Sequence, residues 1–337
     1  MVKTKPTASR LVRAAWVALA LATPLACTPE IVDTTSLVAG PALLAVVASP
    51  AEARPGEPLG LRALAAGRDG PAPRALDWAL CTARAPLTSP GVLAPDCLGA
   101  GGDALVPLGV GVDVTTAMPA NVCQTFGPDQ PAPRPGQPAG RPADPDPTGD
   151  YYQPVRIVDP DAGDRRATAS FEARALCHLA NATPVQQAEF DRSYRLNANP
   201  IVGALALDDG TPLPSLESDA DSVTAIAAGA TLGLRVSWPD CPADSDAACA
   251  GAERYTWFDP AARVFVTRRE SIVVSWFATR GVFATARTGR SEAEAEVAAD
   301  SANVWTAPDA ATDVWLWVVL RDARGGAAWS SYRLRVE

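Results

Sequence analysis

The sequence predicts an all-β fold of two β-sandwich domains in tandem, and three observations carry that prediction. Short apolar and β-branched runs alternate with Gly, Pro and Asp turns. Long amphipathic helical stretches are missing. Two separate segments also share one order: a short apolar strand, a turn, a longer strand, then a strand bearing tryptophan.

Ahead of that pattern, residues 1–26 read as a signal peptide. Lys3, Lys5, Arg10 and Arg13 precede the apolar run from Ala14 to Ala22, and small residues lead into Cys27. The run falls short of the roughly 20 apolar residues that a membrane span needs. The stretch Thr23-Pro24-Leu25-Ala26-Cys27 resembles a bacterial lipobox. That resemblance implies cleavage after Ala26 and lipidation of Cys27, with Pro24 departing from the usual aliphatic residue. An ordinary secretory peptide, leaving Cys27 a plain thiol, is the alternative. Thr28 stands where enteric inner-membrane lipoproteins carry Asp, so the resemblance implies an outer-membrane lipoprotein. Residues 27–38 lack a strong pattern and read as a tether.

The first domain, residues 39–196, opens with strand 41–49 (PALLAVVAS) and the turn Arg54-Pro55-Gly56-Glu57. Strands 58–65 (PLGLRALA) and 75–81 (ALDWALC, with Trp78) follow. Residues 127–150 hold eight prolines and four glycines in 24 positions, too little apolar matter to pack. They read as a Pro-rich, disordered excursion rather than a linker, because 151–158 and 167–179 still look like strands in need of partners. One helix is expected at 184–194, with Thr183 as N-cap and Pro184 at the first helical position.

The second domain, residues 197–337, repeats the order with strands 200–207, 223–226, 230–238 and 271–279, the last carrying Trp276. Val304-Trp305-Thr306-Ala307-Pro308 then leads to strand 313–320 (DVWLWVVL). The hairpin Arg321-Asp322-Ala323-Arg324-Gly325-Gly326 and a return strand, 329–336, close the chain. This order resembles the last strands of bacterial Ig-like and PKD-like domains, closely over residues 270–337 and more loosely over 197–270. The resemblance implies an exported lipoprotein of two Ig-like domains, from families that mostly have no assigned activity.

Charge and composition remove several functions. Without residues 1–26 the chain keeps 25 arginines against 38 acidic residues, a formal charge of −13. Such a surface repels phosphate backbones, which argues against nucleic acid as a partner. After residue 26 there is no lysine, and His178 is the only histidine. A Schiff-base lysine, a phosphate-loop lysine and a two-histidine zinc site are therefore excluded. Apart from Cys27, six cysteines remain: Cys81, Cys97, Cys123, Cys177, Cys241 and Cys249. In an exported chain an even count reads as three disulfides, although six cysteines allow 15 connectivities. Proximity favours Cys81–Cys97 and Cys241–Cys249, leaving Cys123 for Cys177.

Little catalytic chemistry survives inspection. His178 directly follows Cys177, and adjacent strand residues point to opposite faces, so they cannot form a nucleophile–base pair. No GxSxG elbow occurs. The glycines at 99, 101 and 102 and at 109 and 111 complete no phosphate-binding fingerprint and read as turns. A hydrolase working through carboxylates stays open, because sequence spacing cannot test their separation in space. No cofactor is expected beyond calcium, for which Asp240, Asp244 and Asp246 in one cysteine-closed loop are the candidates. Asp159, Asp161 and Asp164 form a second acidic turn of the same kind.

The strongest binding lead is aromatic. Period two in strand 313–320 puts Val314, Leu316, Val318 and Leu320 on one face, and Trp315, Trp317 and Val319 on the other. In the neighbouring strands Phe277, Trp329, Arg333 and Arg335 share the second face, which makes it a candidate binding surface. Cover by the first domain, or by residues 253–268, is the competing reading. The sequence thus points to a non-enzymatic envelope module, held to the membrane by its lipid and partnered by an envelope protein or a glycan. A carbohydrate-binding accessory protein using the tryptophan face is the alternative.

Overall fold

The computed structural model describes residues 35–72, 74–99, 101–131, 146–160, 167–242, 249–292 and 298–337. Residues 1–26, Cys27, Thr28, most of the Pro-rich stretch, and Asp161, Asp164, Asp244 and Asp246 lie outside them. The fold is nearly all β. Among the described residues no helix is long and apolar enough to cross a membrane.

The first half supplies nine strands: β1 (Ala42–Ser49), β2 (Glu52–Ala53), β3 (Pro58–Gly67), β4 (Gly70–Pro71), β5 (Asp77–Cys81), β6 (Leu105–Val110), β7 (Asp113–Ala117), β8 (Asp150–Asp159) and β9 (Ala167–Leu176). In one sheet β3 pairs with β1, β4 and β7; the other runs β2-β9-β8-β5-β6. Between them pack Leu59, Leu61, Trp78, Leu80, Val155 and Ile157. The Pro-rich segment falls between β7 of the first sheet and β8 of the second, so strands of the same sandwich flank it on both sides. Its described ends belong to the fold, since Thr148 and Asp150 are buried. Two short helices complete this half, α1 (Val122–Thr125) and α2 (Pro184–Ser193). Thr183 caps α2 through a reciprocal box with Gln186, which satisfies two of the free amide donors of the first turn.

The second half contributes β10 (Leu205–Leu207), β11 (Pro212–Leu213), β12 (Thr224–Ile226), β13 (Thr231–Ser237), β14 (Arg254–Asp259), β15 (Val264–Arg269) and β16 (Ile272–Ala278). It continues with β17 (Val282–Phe283), β18 (Arg287–Arg290), β19 (Asp300–Thr306), β20 (Thr312–Asp322) and β21 (Ala327–Val336). The sheets β11-β10-β13-β19-β17 and β12-β21-β20-β16-β18 face each other across Leu234, Val236, Trp276, Trp305, Leu316, Val318 and Leu334. A separate hairpin, β14–β15, packs Phe258 and Phe265 against Phe190 of α2.

The sheet containing β1 and β3 is buried on both faces. Leu43, Val46 and Ala48 turn to the first core, whereas Leu44 and Ala45 turn to the second sandwich. The pairing of β1 with β3 shifts register between Leu43 and Ala45, which places Leu44 on the outer side. Two buried faces explain why residues 41–49 are continuously apolar instead of alternating. Residues 36–38, expected to end the tether, belong to the fold. Val38 donates its amide to the Ala278 carbonyl at 2.9 Å, Ser36 accepts from Ala278 at 2.9 Å, and Val38 is buried.

Candidate functional site

The aromatic face offered as a candidate binding surface packs in large part against the first sandwich, the cover that the sequence held open as the competing reading. Trp317 is 0 % exposed and packs with Val319 on Val38, Leu44, Ala45, Leu64 and Ala66. Phe277, Trp315 and Trp329 are partly buried around the same cluster. Short side chains at Ala45 and Ala66 let the indoles approach the covering sheet, and Gly70 fits beside Trp315 because it has no Cβ. Arg62 lies 4.5 Å from the Trp329 ring centre. At the arginine edge, Arg333 and Arg335 pair with Asp313 at 2.7 and 3.2 Å. Residues 253–268 do not take part in this cover.

Three disulfides close: Cys81–Cys97, Cys123–Cys177 and Cys241–Cys249, with Cα–Cα distances of 5.6, 5.7 and 5.7 Å. Cys177 is therefore no nucleophile. His178 instead meets Asp129, Nε2 to Oδ1 at 2.8 Å, on the rim of a cavity of about 390 Å³. Arg54, Phe190, Asp191 and Tyr194 also line it. Burial is the largest single effect and works against the imidazolium, but hydrogen bonding to Asp129 and to the Leu179 carbonyl, with the charges of Asp129 and Asp191, together outweigh it and raise the His178 pKa. Among the calcium candidates, Asp159 pairs with Arg74 at 2.5 Å and Asp240 meets Arg269 at 3.4 Å. No described cluster of three acidic, histidine or cysteine side chains is set to hold a metal.

Where the two sandwiches meet, the fold builds a polar cluster that sequence reasoning missed. β2 pairs with β9, and β9 with β8, so Glu52, Arg174 and Tyr152 lie in one cross-strand row. Arg174 donates to Asp150 Oδ2 at 2.5 Å, and its Nε is 3.7 Å from Glu52 Oε2. From the segment after α2, the Tyr194 hydroxyl and the Asn197 amide reach Glu52 Oε2 at 2.8 and 2.9 Å.

Arg324, in the β20–β21 turn, holds the other side. Its Nε donates to Glu270 Oε1 at 2.7 Å, Nη2 to Glu253 Oε1, and Nη1 to the Arg195 carbonyl at 2.9 Å. Asp322 accepts the amides of Arg324 and Gly326 at 2.9 and 2.8 Å. Glu52, Asp150 and Glu270 are each 0 % exposed. Burial and the neighbouring Asp150 push Glu52 up to about 8, despite the opposing pull of Arg174, the Asn197 amide and Arg324. Burial likewise raises Glu253, Glu270 and Asp322. Such a cluster fixes the geometry of a junction, because each charge is costly unless its partner stays in place.

No protein-family model matches the chain, and no curated protein matches it. Among solved structures it is similar to dimeric latent PorU from Porphyromonas gingivalis, at 10 % identity and a TM-score of 0.21. That match covers 89 % of this chain and 24 % of the other. Elastase-activated alpha-2-macroglobulin from Escherichia coli gives 12 % and 0.21, covering 88 % and 22 %. Methylamine-reacted alpha-2-macroglobulin from Salmonella gives 10 % and 0.21, covering 88 % and 16 %. The chain spans a quarter or less of these proteins. Scores at this level assign neither fold nor function.

Proposed function

We propose that this chain is a non-enzymatic lipoprotein of the bacterial envelope, anchored through Cys27 and sorted to the outer membrane, where its two sandwiches serve as one structural or binding unit. The observation that carries the reading is the set of three disulfides, which fits a chain that matures in an oxidising compartment. The basic and apolar pattern of residues 1–22 supports the same route. The welded junction supports a unit that holds its two halves at a fixed angle. Burial of Trp317 and the partial cover over Trp315 and Trp329 favour a structural use of this face over glycan stacking. The buried acids at the junction are engaged by Arg174 and Arg324, an arrangement suited to holding elements together.

Intact-mass analysis of the protein from membrane fractions, with and without reduction, tests this reading. The expected mass is that of residues 27–337 plus a lipid, rising by six hydrogens on reduction. A Cys27→Ser variant is expected in the soluble fraction. A full-length cytosolic product with free thiols overturns the proposal.

A further inference from the structure

The junction cluster has fewer protons than contacts when every carboxyl is ionised. The Tyr194 hydroxyl lies 2.8 Å from Glu52 Oε2 and 3.1 Å from Asp150 Oδ2. The Thr148 hydroxyl lies 2.5 Å from Asp146 Oδ1 and 2.7 Å from Asp150 Oδ2. Tyr152 donates to Asp146 Oδ2 at 2.9 Å. These five oxygen–oxygen contacts share three hydroxyl protons, and an ionised carboxylate only accepts. Two contacts therefore oppose lone pairs, and each proton carried by a carboxyl relieves one of them.

Glu52 is the member placed to carry one. Arg174 grips Asp150 at 2.5 Å but stands 3.7 Å from Glu52. Among the described residues Glu52 Oε1 is buried without a hydrogen-bond partner, and so is Asp150 Oδ1. The groups that face Glu52 are Asp150 from β8, Arg174 from β9, Tyr194 and the Asn197 amide from the segment after α2, and Arg324 from the β20–β21 turn. We propose that Glu52 is a neutral carboxylic acid at neutral pH, a stored proton on the joint between the two sandwiches, and that its ionisation in alkaline surroundings loosens that joint. This rests on the geometry of the junction and not on where the protein resides.

The proton leaves by a relay. As the Glu52 O–H bond breaks, Tyr194 accepts that proton and passes its own to Asp150. Asp150 hands one to Thr148, whose own proton passes to Asp146. Asp146 is 16 % exposed and releases a proton to water, so Glu52 ends as the only new charge. One Tyr194 hydroxyl then stands between two carboxylates, and their repulsion weakens the hold of β2 on the segment after α2. Burial and Asp150 set the pH of this change, raising Glu52 to about 8.

Infrared spectroscopy of the full chain, carbon-13-labelled at glutamate, tests the proposal. A protonated-carboxyl band is expected at pH 7, fading with a midpoint near 8, and its loss in Glu52→Gln assigns it. Amide hydrogen exchange at Asn197, corrected for its intrinsic pH dependence, should accelerate about tenfold from pH 7 to 9 in the wild type and stay level in the variant. No such band at pH 7, or equal exchange in both proteins, overturns the proposal. If Glu52→Gln does not fold, Tyr194→Phe replaces it: removal of the shared hydroxyl should move the midpoint by about one unit, a tenfold change in proton affinity. An unmoved midpoint overturns the idea. So does a midpoint that follows added calcium, because a cation would then balance the cluster.

Discussion

Arg174 of the first sandwich donates to the main-chain carbonyl of Arg324 in the second at 3.1 Å, so each half's principal buried cation is tied to the other half. Arg324 in turn satisfies Glu253 and Glu270, both buried beside the β14–β15 hairpin. Substitution Arg324→Gln leaves those two carboxylates without their cation. Removing one partner of a buried ion pair costs about 3–5 kcal/mol, so urea denaturation at pH 7 should show a loss of that size. Arg324→Lys should recover only part of it, because an ammonium group cannot reach Glu253, Glu270 and the Arg195 carbonyl in one fork.

Trp317 carries the second contact between the halves, an apolar one. Trp317→Ala should cost about 3–5 kcal/mol, the range for removing a fully buried indole. Trp317→Phe should be milder, since the buried Nε1 has no hydrogen-bond partner to lose. Gly70→Ala tests the cover from the other side. Its Cβ would stand 2.5 Å from the Trp315 ring, and the residue holds φ of +122°. Thermal melts should place Gly70→Ala below the wild type, and Trp315→Ala in the same background should relieve part of the loss. Full stability in Trp317→Ala would mean that the face is not covered in solution.

The three disulfides should differ in weight according to the loops they close. By chain entropy the 54-residue separation of Cys123–Cys177 is worth about 4 kcal/mol, and the 8-residue separation of Cys241–Cys249 about 2.5 kcal/mol. Paired Cys→Ser variants, compared by denaturation under oxidising conditions, should follow that order. The Cys123–Cys177 pair also pins α1 to the strand that carries Arg174, so its loss should reach the junction.

Strand positions were legible because their signals are local. The alternation in 313–320 places Val314, Leu316, Val318 and Leu320 in the core, and all four are 0 % exposed. Thr183 and Pro184 announced α2 in the same way. The sequence offered the first domain and residues 253–268 as covers for the tryptophans but could not choose between binding and cover, since the covering strand β1 lies more than 250 positions away and period two names a face without naming its occupant. Residues 41–49 did hold a hint, because an unbroken apolar run signals a strand buried on both sides. The charged junction was hidden for a related reason. Glu52, Asp150, Arg174, Glu253, Glu270 and Arg324 are scattered along the chain and read singly as surface charges. In the hairpin Arg321–Gly326 the turn was plain, yet Gly326 has a second role. Its missing Cβ leaves room for the Asp322 carboxylate, to which its amide donates at 2.8 Å.

His178 offers the cleanest pH measurement, as it is the chain's single histidine. Asp129 raises its pKa above 6.5 against the opposing effect of burial. A histidine with a raised folded value adds stability that is fully present below its unfolded value, near 6.5, and fades as pH rises through the folded value. The His178→Gln variant should therefore fall short of the wild type at pH 5.5 and match it at pH 9. The difference should be small, because the ring is 42 % exposed and its ion pair is screened. Proton NMR would show one imidazole titrating above 6.5, and Asp129→Asn should return it toward the free value. A midpoint that Asp129→Asn leaves in place would mean that the 2.8 Å contact does not form in solution.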